Sequence, residues 1–174
     1  MLIETNRLRL RPWRTADRDS FAALNSDAEV MADEGGVLDR ASSDAKLERY
    51  MAAFEHHGFG RWLIEDRDGV FLGYAGVMPS PAGHPLGEHF EIGWRLVRAA
   101  WGYGYASEAA RAAIDDALGR AGMPEILAYT SADNLRSQAM MHRLRLFRDP
   151  ARDFTADYPH QKAWRGSVWV ARRG

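Results

Sequence analysis

Glu91-Ile92-Gly93-Trp94-Arg95-Leu96, running through Val97-Arg98-Ala99-Ala100 into Trp101-Gly102-Tyr103-Gly104-Tyr105-Ala106-Ser107-Glu108-Ala109, is the stretch that decides the fold. The pattern from Glu88 to Val97 reads as a strand, which the glycine-bearing run breaks. A helix follows, with apolar residues at 106, 109, 110, 113, 114, 117 and 118. That stripe is nearly all alanine, so the helix can lie close to a sheet before Gly119 and Gly122 end it. Pro124 then precedes a second strand at 125–130, which makes 88–130 a strand-helix-strand crossover. A glycine turn between strand and helix points bare backbone N–H groups at one spot, where the helix N-terminus adds positive potential; such a spot suits phosphate. Taken alone, Gly-x-Gly is more simply a tight turn. The dinucleotide fingerprint is excluded, because Ser107 holds its third glycine position and the preceding chain reads as hairpins. No Gly-Lys-Ser/Thr follows, which excludes a P-loop.

Upstream, residues 2–10 alternate as one half-buried strand closed by Pro12, and Thr15 reads as the cap of a helix leading into Phe21, Ala22 and Leu24. A second helix is expected from Ser43 through Leu47, Tyr50, Met51 and Phe54, with Glu34-Gly35-Gly36 as loop between the two. Residues 61–65 and 70–77 read as strands joined at Asp68-Gly69, a strong hairpin signal. The prolines and glycines of 79–87 mark an exposed loop. Downstream, Asp133-Asn134 opens a last helix containing Leu135, Ala139, Met140 and Leu144, and 167–170 reads as a closing strand. The sum is an α/β chain with a mostly antiparallel front. No repeat or long linker divides it, so residues 1–174 are expected to form a single domain.

Composition narrows the function classes. The chain has 174 residues, 46% of them hydrophobic, and a formal net charge of −1. Its lack of cysteine excludes a disulfide framework, a thiolate metal site and a cysteine nucleophile. No stretch approaches the length of a membrane span and the start lacks a signal pattern, so a cytoplasmic location with no membrane partner is expected. Charge is uneven. Residues 27–44 hold six acidic residues against Arg40 alone, whereas 143–174 hold seven arginines and Lys162 against three aspartates. The basic tail is not interleaved with an aromatic platform, so no nucleic-acid partner is expected. The histidines at 56, 57, 84, 89, 142 and 160 lack metal spacing, and no metal is expected. The serines lack a nucleophile-elbow context. Glu108, Asp115 and Asp116 read as a solvated helix face.

The run 91–94, then 101–109, then Asn134-Leu135-Arg136-Ser137 ahead of an apolar helix, resembles the GNAT acetyltransferases, specifically their RimJ/RimL-like branch. The resemblance extends to Thr5-Asn6-Arg7-Leu8-Arg9-Leu10-Arg11, to Gly73-Tyr74-Ala75-Gly76 and to the order of elements. It implies a GNAT-like mixed, mostly antiparallel central sheet with flanking helices and one strand-helix-strand core that binds acetyl-CoA, the acetyl donor. It further implies that the strand from Ile92 through Trp94 to Leu96 pairs by its backbone with the pantetheine arm. In the same scheme Trp101, Gly102, Tyr103, Gly104, Tyr105 and Ala106 cradle the pyrophosphate. Asn134 would hold the pantetheine or the acceptor side, and Ser137 and Met141 share its helical face.

The implied reaction moves an acetyl group directly to a primary amine, either a protein N-terminus or a small molecule; the absence of cysteine disfavours a ping-pong route. Attack on a thioester needs a base for the ammonium proton, a backbone donor for the carbonyl and an acid for the leaving thiolate. Glu91 is the candidate base, set on the strand face opposite Phe90, Ile92, Trp94 and Leu96, and an exposed carboxylate paired with Arg95 is the competing reading. Glu88 is the fallback, on the other face by parity. Two positions depart from the family pattern. Ala99 replaces a common arginine or glutamine, with Arg98 one place off, so backbone is left to hold the pyrophosphate. Met141 stands where relatives place an acidic tyrosine, which leaves Ser137 as the candidate acid, or as a helix serine bonded to its own backbone. Arg145 stands where relatives end the helix with glycine. Asp33 and Glu34 lie in the acidic stretch that the family places near the acceptor entrance, where they would attract a cationic amine. A homodimer is a further expectation from the family, and a CoA-binding module without catalysis is the alternative function.

Overall fold

The computed structural model describes residues 1–159 and 161–173. The chain runs β1 (Ile3–Glu4), β2 (Leu8–Arg11), α1 (Arg18–Ser26), α2 (Arg40–His57), β3 (Arg61–Asp66), β4 (Phe71–Pro79), β5 (Phe90–Leu96), α3 (Tyr105–Gly119), β6 (Glu125–Thr130), α4 (Leu135–Arg143), β7 (Phe147–Arg148), β8 (Phe154–Tyr158) and β9 (Gln161–Arg172). The strands form one sheet in the order β1-β2-β3-β4-β5-β6-β9-β7, with β8 paired to β9. Every pairing is antiparallel except β5 with β6, the two ends of the crossover.

Alternation along β3 and β5 divides the core between the two faces of the sheet. Trp62 and Ile64 pack with the alanine stripe of α3, in which Ala109, Ala110, Ala113 and Ala117 are fully buried beside Ile114. Leu63 points the other way and joins Trp13, Phe21, Leu24, Leu47, Tyr50 and Tyr74 under α1 and α2. On β5, Ile92 and Leu96 belong to the α3 side, which leaves Glu91, Gly93 and Arg95 on the α1/α2 side.

Local chemistry moved several boundaries. The single strand expected over 2–10 breaks at Thr5-Asn6-Arg7, where Thr5 Oγ1 accepts from Leu8 N at 3.0 Å and turns the chain back on itself. Thr15 caps nothing. It begins a 3-10 turn, Thr15–Asp17, and Asp17 takes the polar role by accepting from Arg14 N at 2.7 Å and from Arg11. Helix α2 starts at Arg40 and not at Ser43, because Asp39 accepts from Ser42 N at 2.7 Å and closes the first turn. The Asp68-Gly69 hairpin is present with Gly69 at φ 82°, and Asp66 supplies the acceptor for Asp68 N and Val70 N. The closing strand is longer than 167–170 and has a partner, β8, that the sequence reading missed. Its residues Thr155, Asp157, Gln161 and Lys162 carry no apolar alternation because this hairpin is largely solvated.

Helix α4 does end where the glycine of relatives is replaced. Arg145 takes φ 57°, and Arg145 N and Leu146 N cap the carbonyls of His142 and Met141. The acidic face of α3 is only partly solvated. Glu108 accepts from Thr5 Oγ1 at 2.6 Å, from Arg7 N at 2.9 Å and from Arg7 Nε at 2.7 Å, and Asp116 pairs with Arg120 at 2.7 Å.

Candidate active site

The parallel pair β5–β6 holds register at one position, Glu91 opposite Leu127, whereas β4 pairs with β5 along its whole length from Phe90 to Leu96. Past that point β5 and β6 diverge, and among the described residues the β5 edge from Ile92 to Leu96 faces no strand. The side chains of Ile92 and Leu96 are buried in the core, so what they offer the opening is backbone N–H and C=O. A cleft of about 1220 Å³ runs through this notch, between Glu91–Leu96, the 101–107 turn, Tyr129–Ser131 and the first turns of α4. An extended, amide-bearing chain can add to that edge as a strand would.

At the end of the notch the glycine turn leads into α3. Gly102 and Gly104 take φ 84° and 79°, the left-handed region where a Cβ is strained, and Gly104 is the residue that caps the helix. Trp101 Nε1 donates to Leu96 O at 2.9 Å and fixes the corner. Arg7 holds the turn from outside: its Nη1 donates to Tyr103 O at 2.9 Å, and its guanidinium lies 4.6 Å from the centre of the Tyr105 ring. The opening Thr5-Asn6-Arg7 motif therefore acts on this turn, through Arg7 and Glu108. Burial works to raise the Glu108 carboxyl, but hydrogen bonds from Thr5 and Arg7 outweigh it and leave the group below its usual range. Tyr103 does not line the cleft. It sits between two left-handed glycines, 62% exposed and with its ring stacked on Tyr105 at 5.7 Å, so what it can offer the cleft is backbone, as the cradle expected of this turn requires.

Asn134, Ser137 and Met141 line the opposite wall together, as their shared helical face requires. Asn134 caps α4, its Oδ1 accepting from Ser137 N at 3.0 Å and its Nδ2 reaching Asp33 at 3.3 Å. Among the described residues the Ser137 hydroxyl has no hydrogen-bond partner, so it is not bonded to its own helix. Glu91 enters the cleft from the α1/α2 side with both oxygens engaged. Arg61 Nη2 donates to Oε1 at 2.7 Å, and the Tyr129 hydroxyl donates to Oε2. The partner of Glu91 is thus Arg61, from two strands away, and not Arg95. The Arg61 guanidinium lies over Gly93, where a Cβ would stand 2.8 Å from its Cζ, and it also donates to the carbonyl of Gly76. Burial, reinforced by the Glu91 carboxylate, pushes the Tyr129 phenol up, so it remains a proton donor. Glu88 lies in the exposed loop before β5, outside the cleft.

The acetyltransferase (GNAT) domain family profile matches residues 7–146. The chain belongs to the GNAT acetyltransferase family. Acetyl-CoA is the donor these enzymes use, and the mixed, mostly antiparallel sheet with its crossover is the GNAT fold. The crystal structure of an acetyltransferase from Agrobacterium tumefaciens str. C58 is 26% identical, with a TM-score of 0.82 over 99% of this chain and 95% of that one. RimL, a ribosomal L7/L12 alpha-N-protein acetyltransferase solved in complex with coenzyme A, is 14% identical, with a TM-score of 0.78 over 99% and 98% of the two chains. YkkB of Bacillus subtilis (strain 168) is 34% identical over 113 residues, 64% of each chain. The chain spans just under two thirds of the length of the curated relatives it matches.

Seen as a GNAT site, the notch fits the cofactor: a free strand edge for the amide-bearing arm and a left-handed glycine turn opening a helix for phosphate. Side-chain charge comes from residues that the sequence reading did not single out. Arg98 is committed to Asp27 at 2.7 Å and Glu29 at 2.9 Å, while Arg136, its guanidinium 4.3 Å from the centre of the Trp101 ring, and Arg143 line the cleft. Arg136 lies within the Asn134–Ser137 run, but a spacing of two from Asn134 is not a shared-face spacing, so the sequence carried no signal for it. The acidic stretch is mostly compensated from elsewhere in the fold. Besides the Arg98 pairs, Arg18 reaches Asp44 at 3.7 Å and Arg95 holds Glu34 at 2.5 Å. In the basic tail, Arg152 and Arg172 share Glu125 at 2.6 and 3.1 Å, and Arg148 pairs with Asp153 at 2.5 Å. Among the described residues no three His, Asp or Glu side chains converge as metal ligands, and no helix is long and apolar enough to cross a membrane. His160 lies outside the described residues.

Proposed function

We propose that the chain is an acetyl-CoA-dependent N-acetyltransferase, a single domain over residues 1–174, acting on a primary amine by direct transfer, with a RimJ/RimL-like ancestry and a cytoplasmic location. The observation that carries this reading is the divergence of β5 from β6 after one register pair, ending on the Gly102/Gly104 turn at the start of α3. Bound acetyl-CoA supplies an acetyl thioester: a nitrogen–carbon bond forms, the carbon–sulfur bond breaks, the amine loses a proton and the thiol gains one. The β5 edge orients the arm and offers backbone N–H to the carbonyl oxygen. The backbone of the glycine turn, the α3 N-terminus and the Arg136 and Arg143 guanidinium groups receive the phosphates. Glu91, fixed by Arg61 and Tyr129, attracts the ammonium and takes its proton through a water. Ser137, with a hydroxyl free of helix bonds, returns a proton to the sulfur. The free hydroxyl favours catalysis over a CoA-binding module without turnover.

Calorimetry and thermal unfolding with acetyl-CoA, CoA, NAD and ATP test this reading. At about 100 times its dissociation constant a ligand adds about 2.7 kcal/mol, or about 5–10 °C in a chain of this size. A shift with acetyl-CoA and CoA alone, followed by thiol release on an amine panel, is expected. A null result with both would refute the cofactor assignment, and binding without any thiol release would refute catalysis.

A further inference from the structure

The α1/α2 side of the cleft has a charged floor, of which only Arg61 has a part in the transfer chemistry proposed above. Arg61 from β3, Arg95 from β5 and Lys46 from α2 converge there with side chains only 9, 12 and 13% exposed. Two carboxylates answer these three cations. Glu91 is taken by Arg61 at 2.7 Å, and Glu34, 42% exposed, is taken by Arg95 at 2.5 Å. Among the described residues the one ion pair of Lys46 is with the other oxygen of Glu34, at 3.8 Å, and its ammonium lies over the faces of Tyr50 and Tyr74, each centred 5.9 Å away. Arg95 Nη1 donates to the Val30 carbonyl and Nη2 to Glu34, but its Nε is buried and, among the described residues, has no acceptor. Burial works to raise the Tyr74 phenol, yet Lys46, Arg95 and Arg61 outweigh it and leave the group below its usual value. An excess buried cation and an orphaned guanidinium N–H are both unfavourable unless an anion completes them. Glu29 and Asp33 stand at the exposed rim of the same cleft, Glu29 paired with Arg98 at 2.9 Å and Asp33 accepting from Asn134 Nδ2 at 3.3 Å.

Resting on the acetyltransferase reading above, we infer that the acceptor is a small amine that carries a carboxylate on the same molecule, and that Lys46 and Arg95 receive that carboxylate. The rim carboxylates draw the ammonium in, Glu91 holds it for transfer, and the floor fixes the other end. A polyamine would set a second cation against Lys46 and Arg95, a like-charge contact that the site rejects. A peptide N-terminus followed by neutral side chains would leave the floor as unpaired as it is without an acceptor.

The test uses the whole protein saturated with CoA. N-acetylated α- and ω-amino acids, which are products of the inferred reaction, are titrated beside their carboxamides, and thiol release is compared for the free amino acids, their amides, spermidine and neutral peptides. The acid is expected to bind at least tenfold tighter than its amide, with the same order in kcat/KM. Lys46→Met should remove that preference and Lys46→Arg should restore most of it, with melting temperatures and acetyl-CoA affinity confirming intact folds. Equal or absent binding of acid and amide, a preference for spermidine or neutral peptides, or an unchanged preference in Lys46→Met would each overturn the inference. Failure to bind acetyl-CoA at all would overturn the acetyltransferase reading and this inference with it; acetyl-CoA binding without discrimination overturns the inference alone.

Discussion

Replacing Arg61 with methionine removes the cation beneath Glu91 while keeping most of the side-chain volume. Arg61 donates to Glu91 Oε1 at 2.7 Å, to Glu91 O at 3.1 Å and to Gly76 O, and its side chain is 9% exposed. Breaking a buried ion pair from one side destabilises by about 3–5 kcal/mol, because the other charge is left behind. Glu91 opens on the cleft with 24% exposure, and water can reach it there, so the lower end applies. A loss of about 3 kcal/mol is expected, or about 6–12 °C in melting temperature for a chain of this size. Glu91→Gln in the Arg61→Met background removes the orphaned charge and should recover about 1–2 kcal/mol, a coupling that a double-mutant cycle measures directly. Urea unfolding of the four proteins supplies the free energies, and turnover on any accepted amine supplies kcat. Arg61→Met should lower kcat by at least tenfold, because Tyr129 alone cannot fix the carboxylate. A loss under 1 kcal/mol, or single losses that simply add, would show that Arg61 and Glu91 are not the coupled unit described here.

Three further outcomes follow from particular residues. Ser137→Ala should lower turnover about 10²-fold with acetyl-CoA affinity intact, measured by steady-state kinetics and calorimetry; retained turnover would leave the proton for the thiolate to water. Gly104→Ala places a side chain at φ 79°, with the nearest atom, Arg7 Nη2, still 3.6 Å away. The effect is therefore backbone strain of about 1–2 kcal/mol at the first turn of α3, and acetyl-CoA should bind about tenfold more weakly; unchanged affinity would remove the turn from the site. Stability should fall in acid. Asp17 lies below its usual range because, although burial raises it, the bonds from Arg11 and Arg14 outweigh burial, and Glu125 is lowered by Arg152. Depressed carboxyls make the unfolded chain take up protons first, so their contribution is whole above about pH 5 and is lost toward pH 2. Asp17→Asn should flatten the melting-temperature profile across that window, and an unaltered slope would contradict the assignment.

The residues whose meaning is local were legible in sequence. The glycine turn, the alanine stripe of α3, the crossover and the shared face of Asn134, Ser137 and Met141 depend on spacings of a few residues, which periodicity and backbone freedom fix without knowledge of the rest of the chain. Even the parity of β5, which sets Glu91 opposite Ile92 and Leu96, is a period-two fact. Boundaries set by a polar atom one turn away were not legible in the same way: Asp39 starts α2, Asp17 displaces Thr15, and Asp66 closes the β3–β4 hairpin. The β8–β9 hairpin escaped because a solvated pair of strands has no apolar alternation to read. What only the tertiary structure decided is which charges meet. Arg61 finds Glu91 from 30 residues away, Arg95 finds Glu34 from 61, and Arg7 and Glu108 join across 101 to hold the glycine turn. Ion pairs carry no sequence period, so the same arginine reads as surface charge until the sheet order places it. The 21 arginines of this chain therefore told little by themselves, whereas their partners in the fold define the floor and walls of its site.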